Sequence, residues 1–262
     1  MTLLLVAVAS FVAAAINSVA GGGTFLTFPT LTGPVGLSEK VANMTSTIGL
    51  WPGSASSIYA AREDFRRIPS GLLATYGVIS VVGGVIGSVL LRYYTSTQTF
   101  RLVIPWLLLF ATCVFAASKP IARWAGAKHG HRTPFWTFAV GCIQLVVAIY
   151  GGYFGAGIGV LMLAGLSFAG LEDVRQMNAL KVLLATVING VAAAIFLFGS
   201  LGAAAAADRI DWPVAGTMVA TSIVGGFLGM AVARRIPQAA LRAVVLVVGF
   251  GLTGVYFYKA YA

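Results

Sequence analysis

Charged positions gather into short clusters along this chain. Between them lie eight stretches of sixteen or more residues with no Asp, Glu, Lys or Arg: 1–38, 41–61, 68–91, 102–118, 133–171, 182–207, 212–233 and 243–258. A bilayer hydrocarbon core of about 30 Å takes roughly 17–25 apolar residues of helix, so the pattern predicts about eight spanning helices. No run alternates apolar and polar residues as an outer-membrane barrel strand does. The expected fold class is all-α, a polytopic helical membrane protein.

The lengths of the uncharged runs repeat in order, 38, 21, 24 and 17 followed by 39, 26, 22 and 16. Such self-similarity points to internal duplication. Val82-Gly83-Gly84-x-x-Gly87 with Arg92 matches Val224-Gly225-Gly226-x-x-Gly229 with Arg234 at equal spacing, and Gln98 and Arg101 fall near Gln238 and Arg242. Gly21-x-Gly23 matches Gly155-x-Gly157, Gly36-Leu37 matches Gly170-Leu171, and Asn43 falls on Asn178 one insertion later. The expected division is a first four-helix repeat over 1–118, a basic connecting loop over 119–134 and a second four-helix repeat over 135–262. Four crossings per repeat would place both repeats in one orientation, related by an axis along the membrane normal.

Composition supports the membrane reading: of 262 residues 59% are hydrophobic and 9% charged, against roughly 25% charged in a soluble domain. The net charge of +10 sits in loops, where Lys and Arg set topology and anchor to headgroups, so nucleic acid is not an expected partner. Loops 62–69, 119–134 and 200–211 with the C-terminal tail carry nine Lys or Arg against seven in the others. The basic loop at 119–132 favours that side as cytoplasmic, with both termini inside. Cys113 and Cys142 fall within apolar runs and suggest packing residues, not a disulfide framework. His129 and His131 offer two metal ligands, too few for a site. Residues 1–20 resemble a secretory signal, but no Lys or Arg precedes the apolar core, and a retained first helix is expected.

The runs 1–38 and 133–171 are too long for one straight helix; at about 1.5 Å per residue the first would measure roughly 57 Å. Glycines interrupt both, Gly21 to Gly23 in the first and Gly151, Gly152, Gly155, Gly157 and Gly159 in the second. Paired glycine-interrupted apolar segments point to a transporter binding site, because a broken helix exposes backbone N–H groups and a positive helix end inside the membrane. The expectation is a broken or re-entrant first helix in each repeat; Gly83, Gly87, Gly225 and Gly229 suit close helix packing instead. Behind the second break, Asn178, Lys181 and Asn189 share one helical face at about 100° per residue. Asn43, Ser46 and Ser54 hold the same spacing in the first repeat, with Thr45 and Thr47 beside them. A Lys at mid-bilayer costs about 2.5–3.5 kcal/mol on insertion scales and is a functional candidate by default. All seven acidic residues lie outside the uncharged runs. Amides, hydroxyls, an ammonium and broken helix ends without carboxylates suit a small anion.

The segment from Asn17-Ser18-Val19-Ala20-Gly21-Gly22-Gly23 through Pro29 to Ala42-Asn43, the duplicated plan, and the stretch from Gly155 to Asn178, Lys181 and Asn189 resemble the sulfite exporter TauE/SafE (TSUP) family. The resemblance covers essentially the whole chain. It implies a permease for sulfur-containing anions such as sulfite or an organosulfonate of the sulfoacetate type, in the bacterial inner membrane. It also implies a substrate site formed by Asn17, Gly21, Gly22, Gly23, Asn43, Ser46, Gly155, Gly157, Asn178, Lys181 and Asn189. Ser46 stands where the second repeat has Lys181, so the site would be asymmetric. No Walker motif, HExxH motif or nucleophile–base pair is present; a secondary transporter, with no cofactor and no enzyme activity, is expected. Its partners would be a small anion and the lipid bilayer, with homo-oligomer formation left open. The alternatives are export or facilitated movement of another small polar metabolite, or a non-transporting membrane assembly subunit.

Overall fold

A computed structural model describes residues 1–19, 21–60, 62–65, 68–126, 134–168, 173–201, 209–233 and 238–261. Every regular element among them is helical: α1 Thr2–Val19, α2 Thr24–Thr32, α3 Glu39–Ala60, α4 Arg62–Phe65, α5 Ser70–Val89, α6 Thr97–Gly126, α7 Pro134–Tyr153, α8 Ile158–Leu166, α9 Val174–Leu201, α10 Trp212–Ala233 and α11 Gln238–Tyr261. A π-helical turn, Leu90–Tyr94, extends α5. Among the described residues five segments are long and apolar enough to cross a membrane: Ser70–Tyr94, Thr97–Ser118, Arg175–Leu201, Trp212–Gly229 and Arg242–Tyr261. Thr2–Ser18 and Phe138–Tyr153 are shorter apolar helices. Large apolar side chains such as Val78, Phe138 and Val247 point outward while Ser10, Ser46, Ser80 and Lys181 are buried. That is the arrangement of a multi-pass membrane protein, whose exterior meets hydrocarbon.

Two details differ from expectation. Cys113 and Cys142 are exposed on the exterior and not packed inside, since a thiol is apolar enough to face lipid. Helix α6 runs through Pro120 to Gly126, into the stretch expected as a connecting loop; His129 and His131 lie outside the described residues.

Contacts between helices fix their directions. Ser10 bonds Thr221, and Gly225 and Gly229 lie against Phe11 and Ala15, so α1 and α10 run parallel. Gly49 against Met218 and Ser57 on Gly226 make α3 parallel to α10. Gln144 bonds Ser80 and Gly87 lies against Tyr153, so α7 runs with α5; Gly84 against Ile188 and Arg92 on Gly199 add α9 to that direction. Lys40, at the start of α3, bonds Arg92, at the far end of α5, which sets the two groups antiparallel. Tyr261 meets Leu102 and Arg242 meets Ala116, so α6 and α11 are antiparallel too.

The helices of the second half therefore run opposite to their counterparts in the first: α7 against α1, α9 against α3, α11 against α6. This corrects the expectation of two halves in one orientation. The cause lies in α2 and α8. After α1 the chain doubles back as α2, so α3 sets out in the same direction as α1, and the half contains one more reversal than four plain crossings would. The start of α1 and the end of α11 share one face, the terminal face. The expected grouping of loops also fails. The α3–α5 connection and the end of α6 lie on the distal face, whereas the end of α9, the start of α10 and the end of α11 lie on the terminal face.

Candidate functional site

Each long uncharged run breaks at its glycines. Helix α1 ends at Val19 and the chain resumes as α2 at Thr24; α7 ends at Tyr153 and resumes as α8 at Ile158. Both resumed helices have nine residues. The turns place Gly21 and Gly22 at φ +72° and +106°, and Gly155 and Gly157 both at +74°, a region that a Cβ makes costly. Side chains fasten both turns. Asn17 Oδ1 accepts a hydrogen bond from the Gly23 N–H at 2.6 Å, and the Tyr150 hydroxyl donates to the Ala156 carbonyl at 2.7 Å. Gly21 and Gly159 then bring the two breaks together: a Cβ on Gly21 would stand 2.6 Å from the Gly159 Cα. The N-terminal ends of α2 and α8, each with the positive end of a helix dipole, converge inside the bundle.

A cavity of about 30 Å³ lies where they converge, above the roughly 10–15 Å³ that one water needs. Gly21 and Thr24 of the first break and Gly155, Ile158 and Gly159 of the second form two of its walls. Helix α9 supplies Lys181, Ala185 and Asn189, and α3 supplies Ser46, Thr47, Ser54 and Ser57. Lys181 is 1% exposed, and its ammonium donates to the Asn17 carbonyl at 3.4 Å, at the negative end of α1. Ser46 Oγ shares a hydrogen bond with Thr27 Oγ1 at 2.7 Å. Among the described residues no Asp or Glu is buried, and no cluster of three metal-ligating side chains occurs. The cavity wall thus combines the Lys181 ammonium and the positive ends of α2 and α8 with the negative end of α1 at Asn17, and hydroxyls and an amide complete a hydrogen-bonding shell.

Six of the eleven expected site residues line this cavity: Asn17, Gly21, Ser46, Gly155, Lys181 and Asn189. Four of the other five support it from outside. Gly22 packs under the Phe25 ring and Gly23 against Ala13, while Gly157 faces Ala111 and Phe25. Asn43 Nδ2 donates to the Tyr153 carbonyl at 3.1 Å, tying α3 to the end of α7. Asn178 shares a face with Lys181, but its Oδ1 is buried without a hydrogen-bond partner. Ser57 was not expected; it continues the face of Ser46, Leu50 and Ser54 by one further turn, a spacing visible in the sequence. Among the described residues two other buried cations, Lys40 and Arg92, sit together at the terminal face and do not line the cavity.

Residues 6–257 match the family of the sulfite exporter TauE/SafE. The chain belongs to the TauE/SafE family. A probable membrane transporter protein of Haemophilus influenzae is 26% identical over 253 residues, covering 95% of this chain and 91% of that protein. The probable membrane transporter protein YfcA of Escherichia coli K12 is 25% identical over 249 residues, 94% of this chain and 86% of its own length. A probable membrane transporter protein, ORF9, of a Sinorhizobium species is 29% identical over 196 residues, 73% of this chain and 70% of that one. In this TauE/SafE chain the match takes in both glycine breaks and the helices α3 and α9 that wall the cavity.

Proposed function

We propose that the chain is a secondary permease that moves a small sulfur-containing anion, sulfite or an organosulfonate of the sulfoacetate type, across the bacterial inner membrane. The observation that carries this reading is the buried Lys181 ammonium in one cavity with the N-terminal ends of α2 and α8. Three sources of positive potential converge there with no buried carboxylate among the described residues, in a low-dielectric setting that strengthens each. Sulfur oxyanions offer several acceptor oxygens to such a shell, and the hydroxyls of Ser46, Thr47 and Ser54 can meet them. The solute is carried and not transformed. In this reading the two halves, 1–118 and 135–262, are inverted copies that rock about the fixed site, making eight spanning passages with α2 and α8 as re-entrant halves.

Charge supports one orientation. By sequence, the distal face and its connections hold Arg62, Arg66, Arg67, Lys119, Arg123, Lys128, Arg132, Arg175, Arg234, Arg235 and Arg242, eleven basic residues. The terminal face holds five: Lys40, Arg92, Arg101, Arg209 and Lys259. The excess supports a reading with the distal face in the cytoplasm. The start of α1 and the end of α11 are then extracytoplasmic, the reverse of the orientation drawn from loop order alone.

The test is uptake into liposomes holding the purified protein, with radiolabelled sulfite, sulfoacetate and taurine. Saturable movement of sulfite or sulfoacetate is expected. Protein that is folded but moves none of the three overturns the reading.

A further inference from the structure

The two breaks are alike in backbone but not in charge. Counting back four residues from the first left-handed glycine of each turn, Gly21 and Gly155, pairs the Asn17 carbonyl near the end of α1 with the Gly151 carbonyl near the end of α7. Both are negative poles of helices that stop inside the bundle. At α1 the pole meets a cation, for the Lys181 ammonium reaches from α9 and donates to the Asn17 carbonyl at 3.4 Å. At α7 the position matching Lys181 is Ser46 of α3, a short neutral side chain that shares a hydrogen bond with Thr27 at 2.7 Å. Acceptors gather at this second pole. The N–H groups of Phe154 and Gly155 both return to the Tyr150 carbonyl, at 2.9 and 3.3 Å. Among the described residues no backbone N–H beyond the helix then returns to the carbonyls of Gly151 and Gly152, two of the four that a helix end leaves over. Asn43, 1% exposed, donates its Nδ2 to the Tyr153 carbonyl at 3.1 Å, which brings the oxygen of the same amide to the end of α7. That oxygen is buried without a hydrogen-bond partner, a costly state for an acceptor. The cavity extends to this end, since Ser46, Thr47 and Gly155 are among its walls.

We infer that the end of α7 is a sodium site, formed by Asn43 Oδ1, Ser46 Oγ and the carbonyl oxygens of the last turn of α7. The ion does for the first half what the Lys181 ammonium does for the second. Neutral oxygens of this kind, at the C-terminal end of a helix broken within the membrane, are suited to Na⁺. Among the described residues no carboxylate is buried there, so the charge of the ion is balanced by the helix pole and by the anion in the adjoining cavity. Ser46 both lines the cavity and belongs to the shell of the ion. Each solute therefore strengthens the binding of the other, by one and the same factor. That link rests on the anion reading of the cavity; the sodium site itself does not.

Binding of radioactive sodium to the purified protein in detergent, with choline as the replacing cation, tests the site without reference to transport. The wild type is expected to hold one sodium ion per chain. Sulfite, added as its choline salt, should raise the sodium affinity roughly tenfold, and sodium should raise the sulfite affinity by the same factor. Ser46→Lys supplies the ammonium that the other half already has, and Asn43→Leu removes the amide oxygen. Both variants should lose sodium binding, with a cooperative melt in choline showing that they are folded. A wild type that binds no sodium overturns the proposal, whether or not it moves sulfite into liposomes. Sodium binding kept by both folded variants overturns it as well. Sodium that binds the wild type, is lost in the variants and is indifferent to sulfite upholds the site and counts against the permease reading instead.

Discussion

Gly21 and Gly159 face each other across the centre of the molecule, and each occupies the space that a side chain on the other would need. A Cβ on Gly159 would lie 2.8 Å from the Gly21 Cα and 3.4 Å from Cδ of Lys181. The contact joins the first break to the second and backs the stem of the buried lysine. Substitution by Ala at either position should therefore separate the breaks. Overpacking of this kind costs about 1–3 kcal/mol, and Gly21, at φ +72°, bears a further 1–2 kcal/mol or so for the left-handed backbone. Gly21→Ala should lower the melting temperature in detergent more than Gly159→Ala, and both should reduce uptake. Equal melting of both variants and the wild type would show that the breaks do not depend on this contact.

A different constraint acts at the terminal face. Arg92 Nη2 donates to the Gly199 carbonyl at 2.6 Å, at the C-terminal end of α9, where a cation offsets the helix dipole. The π-helical turn Leu90–Tyr94 carries Arg92 inward to 8% exposure. Hydrogen bonds to charged groups contribute about 1.5–3 kcal/mol, so Arg92→Met should destabilise by an amount of that order. Gly199→Ala should do the same, because its Cβ would stand 2.7 Å from Arg92 Nε. Thermal melts of the two variants and of the double variant check this: the double variant should lose no more than the worse single one. Additive losses would mean that the two residues act separately.

The inverted course of the halves makes orientation measurable with a few cysteines. In a background with Cys113 and Cys142 replaced by Ala, D211C reports on the terminal face and E63C on the distal face. A membrane-impermeant maleimide added to intact cells should label D211C and leave E63C unlabelled until the cells are permeabilised. The opposite pattern would put the termini in the cytoplasm and reverse the charge argument.

Much of this architecture is legible in the uncharged runs and the glycine positions. Gly21, Gly22, Gly155 and Gly157 mark both breaks because a Cβ makes their positive-φ turns costly, and the face shared by Lys181 and Asn189 marks the cavity wall. Helix direction is not legible there. Run length cannot distinguish one long passage from a passage followed by a nine-residue return, so the extra reversal at α2 and α8 changes which loops share a face. Asn178 illustrates a second limit. Its position on the Lys181 face is a matter of spacing, but whether its amide reaches the cavity depends on how α9 is rotated against α3. That rotation is set by long-range contacts such as Trp51 Nε1 donating to the Thr186 carbonyl at 3.1 Å. Arg92 is a third case, since an α-helical count of α5 does not include the π-helical turn that aims it inward.

The decisive variant is Lys181→Met. Methionine has nearly the length and flexibility of the lysine stem, so the packing against Gly159 is kept while the ammonium is removed. A buried charge is costly to desolvate, and its replacement by an apolar group of similar shape is often neutral or stabilising. The melting temperature should accordingly hold or rise. Transport should fall, because an anion in the cavity loses a charge-assisted partner of about 1.5–3 kcal/mol, roughly a 10- to 100-fold loss of uptake efficiency. Lys181→Arg should also impair uptake, since the broader guanidinium must fit where the lysine is already 1% exposed. The two readouts separate a structural role from a binding role. A lysine that only caps the end of α1 through the Asn17 carbonyl would lose stability on substitution and keep its transport. Full uptake of sulfite and sulfoacetate by a folded Lys181→Met protein would remove the ammonium from the mechanism.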